Sequence, residues 1–486
     1  LPAGEWLIGV ALSIATSLVA AWLPASTAAS VPPAQALGHH AVVWQGSSPW
    51  RAEFIGLLLA VAAVLLAQLP PWRSAALRVP LGAYLAALTW LLGASLLAGA
   101  LLRLFRVPAN PILTIAFSHL RKPSLRHRFA VAALTSAVAM TTGMAIMIAS
   151  FDSTMRNWIQ RSMRADIYLS SAGAQSASST HQIRADTVQA IANMPEVSEA
   201  TSVHHAVIQL TDGPSSILGT DMAFAERYDL HAWLHKPPAD WWRKDEVLGV
   251  MNESLATRLN RVVGDTLEVP TTLGIQRVRI VGMYADYGNE RGSVLVPAER
   301  FRMWFGHNDA WRVALMLKPG MDAEAVRTKL QQTYPGLSVF TQSHLRNEAL
   351  RIFRQTFAVT YALEAVGVVV AVAGLGLALA GLMLDRRSDL TTLRTMGFSK
   401  RDLTKACAAE GLALGLAGVV AGALSGVWLG WLLIARVNKQ AFGWTLSFSF
   451  PGMQILVLCI AVLLVGTLVA AFVGRWSSNL RSEKEE

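Results

Sequence analysis

The chain has little of what a soluble enzyme needs. Only 15 % of its 486 residues are charged, against 53 % hydrophobic. That balance belongs to a membrane protein with room for one water-soluble domain. There are two cysteines, Cys407 and Cys459, both inside long apolar runs. No disulfide framework therefore supports the soluble part. There is no GxxxxGK[ST] phosphate loop, so ATP has no Walker A cradle here. GxGxxG does not occur as a strand-to-helix turn, and neither HExxH nor GxSxG is present. His231 and His235, four apart, would share one face of a helix, but Pro237 and Pro238 follow at once; surface or packing roles suit them better than zinc. His204 and His205 are adjacent and would point to opposite faces of a strand. The formal charge of +10 suggests nucleic acid at first. The basic residues cluster beside the apolar runs instead, which is the pattern that membrane topology produces.

What the chain does have is apolar length. A bilayer-crossing helix needs about 20 mostly apolar residues. Seven segments meet or approach this: Trp6–Leu23, Ala52–Leu69, Pro80–Leu102, Phe129–Ile148, Phe357–Leu384, Ala406–Leu433 and Met453–Val473. Alternate connections carry sixteen and four Lys/Arg, so the richer side is read as cytoplasmic. The N-terminus and the long segment Asp152–Gln355 then lie outside. The first residue is Leu1, and no basic n-region or small-residue cleavage site accompanies the first run. The chain therefore reads as starting inside a longer protein.

The loop Asp385–Lys405 holds six Lys/Arg in twenty-one residues between two apolar runs. Gly397 suits a helix C-terminus, and Ser399 with Asp402 three residues on suits the next helix start. The positions Asp385, Arg386, Arg387, Asp389, Leu393, Arg394, Gly397 and Ser399 follow the order acidic, Arg-Arg, acidic, Leu-Arg, Gly, Ser. This resembles the signature of FtsX-like ABC transporter permeases, a superfamily that includes MacB and the lipoprotein-extracting permeases. The resemblance implies that the loop couples to a separate ATPase subunit through Arg386, Arg387, Asp389, Leu393, Arg394, Gly397, Phe398 and Arg401. It implies no catalytic, cofactor-binding or metal-binding residue in this chain, ATP being bound by the partner. The plainer reading is an ordinary positive-inside loop.

Trp22–Gly38 resembles the end of a first permease module in the same superfamily, through Pro24, Ala25, Ala28, Pro33, Ala36 and Leu37. Ser26 and Thr27 stand where the family usually has arginines. The implied layout is the last span of a first module (1–40), a linker pair of spans (41–105) and a cytoplasmic elbow with the next span (106–151). An extracytoplasmic MacB-like domain (152–355), a permease core (356–475) and a short tail (476–486) follow. That is the ten-span, two-module plan with its first part missing. The elbow, Asn110–Arg128, reads equally as an amphipathic surface helix or as a basic tether.

Helical spacing continues past the fourth span through Met155, Trp158, Ile159 and Met163, and His344–Gln355 is helical on the return. These read as stalks. Between them, Asp166–Ser170, Val203–Leu210, Val278–Tyr284 and Ser293–Val296 are strand-like. Trp311–Leu317, Ala323–Tyr334 and Leu337–Thr341 make a β-α-β unit. The order resembles a MacB-like periplasmic domain, with a ferredoxin-like half and an inserted β half; Val247–Val269, with Gly264, Asp265 and Leu267, carries the local match. The expected fold class is thus an α-helical bundle of about seven transmembrane helices with one α/β extracytoplasmic domain.

Gly418, Gly422, Gly426 and Gly430 share one helix face and predict a close helix–helix contact, with a partner the sequence does not name. Glu364 lies near the outer end of a span, within snorkelling reach of water. Glu410 lies one turn in from the basic loop, towards Lys405 or the ATPase side. Trp233, Leu234, Trp241, Trp242, Trp304, Phe305 and Trp311 are either an apolar patch for cargo or a domain core. The favoured function is a non-catalytic ABC permease subunit moving an amphiphilic cargo, with an ABC ATPase and the lipid bilayer as partners and no role for nucleic acid. A relay controlling a cell-wall hydrolase or a sensor kinase, and a secondary transporter, are the alternatives.

Overall fold

In the computed structural model, the described residues are 49–73, 78–105, 125–173, 181–289, 291–306, 308–385 and 395–479, with isolated positions within 10–22 and 114–123. Residues 1–49 form a unit of their own. The first apolar segment and most of the elbow lie outside the described residues; of the elbow's first part, Thr114, Phe117 and Leu120 are helical.

The apolar segments among the described residues are helices. Helix α1 (Pro49–Leu66) is joined to α2 (Leu81–Leu101) through a two-residue strand pair, β1 (Trp72–Arg73) and β2 (Arg78–Val79). Helix α3 (Leu125–Ser162) has 38 residues. Among the described residues, four helical segments are long and apolar enough to cross a membrane: Leu81–Leu104, His127–Ser162, Lys400–Phe442 and Gly452–Phe472.

The outer domain follows α3. Strand β3 (Ile167–Ser171), helix α4 (Ala185–Ala192) and strand β4 (Val197–Leu210) form its first unit. Strand β5 (Gly213–Thr220), helix α5 (Met222–Arg227) and strand β6 (Ala232–His235) come next. Strand β7 (Leu248–Asn252) runs into α6 (Glu253–Leu259), with Asn252 accepting from the Leu255 N–H as its cap. Strands β8 (Thr266–Thr271), β9 (Gly274–Ala285) and β10 (Ser293–Pro297) precede α7 (Ala298–Phe305). Strand β11 (Arg312–Leu317), helix α8 (Ala323–Thr333) and strand β12 (Leu337–Thr341) complete the domain.

The strands join one sheet in the order β12-β3-β11-β4-β5-β10-β7-β9-β6, with β8 also on β9. The first four are antiparallel to their neighbours, with α4 and α8 contributing to one core. This is the expected ferredoxin-like half, and alternation puts Ile167, Leu169, Leu337 and Val339 inward. The fourteen-residue β4 pairs with β11 over its first part and with β5 over its second, so one strand belongs to both halves. The second half has its own core of Ile217, Met251, Leu255, Val278 and Phe301.

The tryptophans do not make the single patch allowed for in the sequence. Trp241 and Trp304 are 1 % and 3 % exposed, and Trp311 is buried too. His231 and His235 do not share a helix, because Ala232–His235 is a strand. The His231 ring stacks on Trp233 at 5.1 Å between centroids, and its Nδ1 is buried without a hydrogen-bond partner among the described residues.

After β12 the chain passes directly into α9 (Gln342–Asp385), 44 residues long. Helix α10 (Lys400–Leu432) continues through a π turn at Leu433–Asn438 into α11 (Lys439–Phe442), and α12 (Gly452–Asn479) ends the described chain. At about 1.5 Å per residue, α3 and α9 are roughly 57 and 66 Å long, about twice a bilayer's hydrocarbon thickness. Each is one unbroken helix that joins a segment expected as a span to a segment expected as a stalk.

The glycine face of α10 packs on α3. A Cβ built on Gly418 would lie 2.6 Å from Leu134 Cδ2, on Gly422 2.6 Å from Val138 Cβ, on Gly426 2.5 Å from Thr142 Cβ, and on Gly430 2.9 Å from Ile146 Cβ. Both sets step by four, so the two helices are parallel and in register over this stretch. The partner left open by the sequence is α3 of the same chain. Gly426→Ala is expected to lower the melting temperature of the detergent-solubilised protein, even though alanine is the better helix former by about 1 kcal/mol. Leu424→Ala, on the exposed face, is the control and should cost less.

Burial holds the His231 imidazole down to about 4. The unfolded ring titrates near 6.5, so the unfolded state binds the extra proton between those values. Stability is fully present above about pH 6.5 and falls by up to about 3 kcal/mol as the pH drops towards 4. Thermal unfolding of the full chain, followed by tryptophan fluorescence across that window, should show this loss, and His231→Phe should flatten it.

Candidate functional site

The inner end of the bundle carries the turn before α10. Gly397 has φ +99, a conformation that glycine adopts without strain and that ends a helical turn at Thr395. Ser399 then caps α10: its hydroxyl accepts from the Asp402 N–H, and the Asp402 carboxylate accepts from the Ser399 N–H at 3.3 Å and hydroxyl at 2.6 Å. Phe398 is half-buried and Arg401 is exposed. Arg386, Arg387, Asp389, Leu393 and Arg394 lie outside the described residues, so the turn is seen only from Thr395 onward.

Just inside this end, the sequence left Glu410 turned towards Lys405 or the ATPase. The structure buries Glu410 and sets its Oε1 2.9 Å from Nε2 of His127, which is equally buried on α3. Lys405 is exposed. The two side chains supply each other with a hydrogen bond that lipid cannot. The side chain of Glu364 lies outside the described residues.

The outer end was not anticipated. Residues 443–450, between α11 and α12, have no regular structure, yet several of their backbone groups are bonded. The Ser449 and Ser447 N–H groups donate to Ser150 Oγ and Thr154 Oγ1 of α3, each at 2.9 Å. The Thr445 N–H and hydroxyl donate to Glu253 Oε2 of the outer domain at 2.9 and 3.2 Å. The Tyr287 hydroxyl donates to the Thr445 carbonyl at 3.1 Å. Burial, with the charge of Glu253 behind it, pushes the Tyr287 phenol up to about 12, so it stays a donor at neutral pH. A signal was present in the sequence: Trp444, Leu446, Phe448 and Phe450 alternate with Thr445, Ser447 and Ser449, as an extended segment with two unlike faces requires.

The stalks are tied to the domain and to each other. Trp158 of α3 donates through Nε1 to the Ala285 carbonyl at 3.2 Å, and its ring meets Tyr287 edge-on. The Gln342 N–H donates to the Asp166 carbonyl at 2.9 Å, and its side-chain amide donates to the Met163 carbonyl. Since α3 and α10 run parallel from Leu125 and Lys400, the turn at Gly397 and the outer domain lie at opposite ends of the bundle.

The buried pair near the inner end has a measurable signature. His127→Leu and Glu410→Leu, each removing one side of the buried 2.9 Å contact, should each destabilise by about 3–5 kcal/mol. The double variant should lose less than either single one, read as melting temperature in detergent.

Two family models match the chain. One is described as the FtsX-like permease C-terminal region and matches residues 362–481. The other is described as the MacB-like periplasmic core domain and matches residues 129–333. An uncharacterized ABC transporter permease protein of Mycobacterium tuberculosis, Rv0987, is 27 % identical over 391 residues, covering 77 % of this chain and 45 % of the relative. An uncharacterized ABC transporter permease of Methanocaldococcus jannaschii, MJ1507, is 22 % identical over 228 residues, covering 45 % of this chain and 56 % of the relative. The chain thus spans about half the length of the curated relatives it matches. Among solved structures, the periplasmic region of MacB from Actinobacillus actinomycetemcomitans aligns with TM-score 0.29 and 9 % identity, over 39 % of this chain and 94 % of that one. The extracellular domain of the noncanonic ABC-type transporter YknZ from Gram-positive bacteria aligns with TM-score 0.27 and 10 % identity, over 36 % and 99 %. With both family models matching in chain order, and with two ABC permeases among its relatives, the chain belongs to the FtsX/MacB-like family of ABC transporter permeases.

Proposed function

We propose that this chain couples ATP hydrolysis by a partner ATPase to movement of its outer domain, and so exports or extracts an amphiphilic cargo such as a lipoprotein, lipid or peptide. The observation that carries this reading is the pair of unbroken helices, α3 and α9, that are at once spans and stalks. A push at the turn around Gly397 reaches α3 through the glycine contact and reaches the outer domain without crossing a flexible joint. The ATPase docks on the basic hairpin Arg386–Arg401, and ATP stays with that partner. The permease itself makes and breaks no bonds. The reading puts about seven spans in the bacterial inner membrane with the large domain in the periplasm; the four described helices long and apolar enough to cross a membrane support it.

The test is association with the ATPase. Arg394→Glu reverses a charge in the docking hairpin and should abolish copurification of the ATPase while the permease still inserts and folds. Unchanged copurification sinks the coupling assignment. Cargo-stimulated ATP hydrolysis in the reconstituted complex is the result expected of a transporter rather than a signal relay.

A further inference from the structure

Where the outer domain meets the membrane bundle there is a cavity of about 700 Å³. Its walls come from β6, α6 and β9 of the outer domain, the π turn and α11 above the sixth apolar segment, Thr445 of the segment that follows, and Pro71 of the α1–α2 connection. Because Arg436 and Lys439 come within a few residues of Leu432, the end of α10, the cavity sits where hydrocarbon gives way to headgroups. It lies on the same side as the outer domain.

The lining is basic and only partly neutralised. Arg436 donates to Gln68 Oε1 at 2.7 Å and forms no ion pair among the described residues. The Lys439 ammonium has no hydrogen-bond or ion-pair partner among the described residues. Arg261 stands 3.9 Å from Asp265, at the limit of an ion pair. The one acid in the wall, Glu253, already accepts two hydrogen bonds from Thr445 through Oε2. Leu234, Met283 and Ala435 give the same cavity an apolar flank. In its wall, Gln440 donates to the Leu69 carbonyl at 3.1 Å, while its Oε1 is buried without a partner. An acceptor of that kind is matched by a hydroxyl or an ammonium.

We infer that this cavity binds the phosphate-bearing headgroup of an anionic amphiphile drawn from the adjoining leaflet. Arg436 and Lys439 hold the phosphate and the apolar flank receives the start of the acyl chains. Its volume is in the range of small-ligand sites, about 300–1,000 Å³. Guanidinium and ammonium groups without carboxylate partners are the donors that recognise phosphate. Basic side chains at span ends commonly reach the bulk headgroup layer; here they line, with Arg261, one open cleft walled on one side by a folded domain. The inference rests on the membrane placement used above and is independent of ATPase docking.

The experiment uses the full chain, exchanged into nanodiscs of phosphatidylglycerol and phosphatidylcholine, then stripped with mild detergent and examined by native mass spectrometry. The wild-type protein should retain phosphatidylglycerol in preference to phosphatidylcholine. Arg436→Gln combined with Lys439→Gln should cut that retention about tenfold or more, as expected for losing two charge-assisted contacts. Thr257→Trp fills the cavity and leaves every charge in place, and it should cut retention too. Both variants should melt with the wild type and copurify with the ATPase as it does, so this test and that of Arg394→Glu fail separately. Equal retention by wild type and both variants, or equal retention of the zwitterionic lipid, would overturn the inference. Displacement of the lipid by millimolar inorganic phosphate would overturn the headgroup assignment in favour of a free-phosphate site.

Discussion

The close approach of α10 to α3 is the contact on which the rest of the architecture depends. Lipid tails are as apolar as leucine, so the ordinary hydrophobic drive is missing between helices in a bilayer. What remains is contact, and four glycines spaced by four residues supply it by letting one helix backbone lie against the side chains of another. The parallel register follows from that face. The separation of the capped turn from the outer domain follows in turn, because both helices start at the same end. Had α10 been free of α3, the turn and the stalk would share no rigid element.

The opposite end of the bundle is held by other means. The segment 443–450 has neither a helix nor a sheet to satisfy its amides, and it borrows serine, threonine and glutamate side chains from two different parts of the chain. It connects the top of the last two membrane helices to both a stalk and the domain. Polar contacts of this type work at the water boundary and would be costly deeper in. Their position fits a seam between the membrane part and the water-soluble part, and the basic cavity opens beside the same seam.

Much of this was legible in the sequence, for identifiable reasons. The apolar runs, the cap at Ser399, the turn at Gly397 and the glycine face depend on local spacing, and local spacing is what a sequence displays directly. The ferredoxin-like half was legible because alternation and helix length mark its elements. What escaped was anything decided by two distant segments meeting. His127 and Glu410 are 283 positions apart, and neither announces the other. The histidines at 231 and 235 were read with helical spacing, yet strand β6 separates them. The tryptophans stayed open between patch and core because aromatic residues serve cores and interfaces alike, and only packing tells which. The docking residues Arg386 to Arg394 rest on the family pattern alone.

One strand has a mechanical consequence. Because β4 runs unbroken through both sheets' worth of pairing, the ferredoxin-like half and the inserted half have no crease between them. A clamshell that bites its cargo by folding along that line would have to tear a backbone ladder. The shared strand thus holds the two halves as one continuous plate, whose shape is set by a backbone ladder and not by side-chain contacts alone.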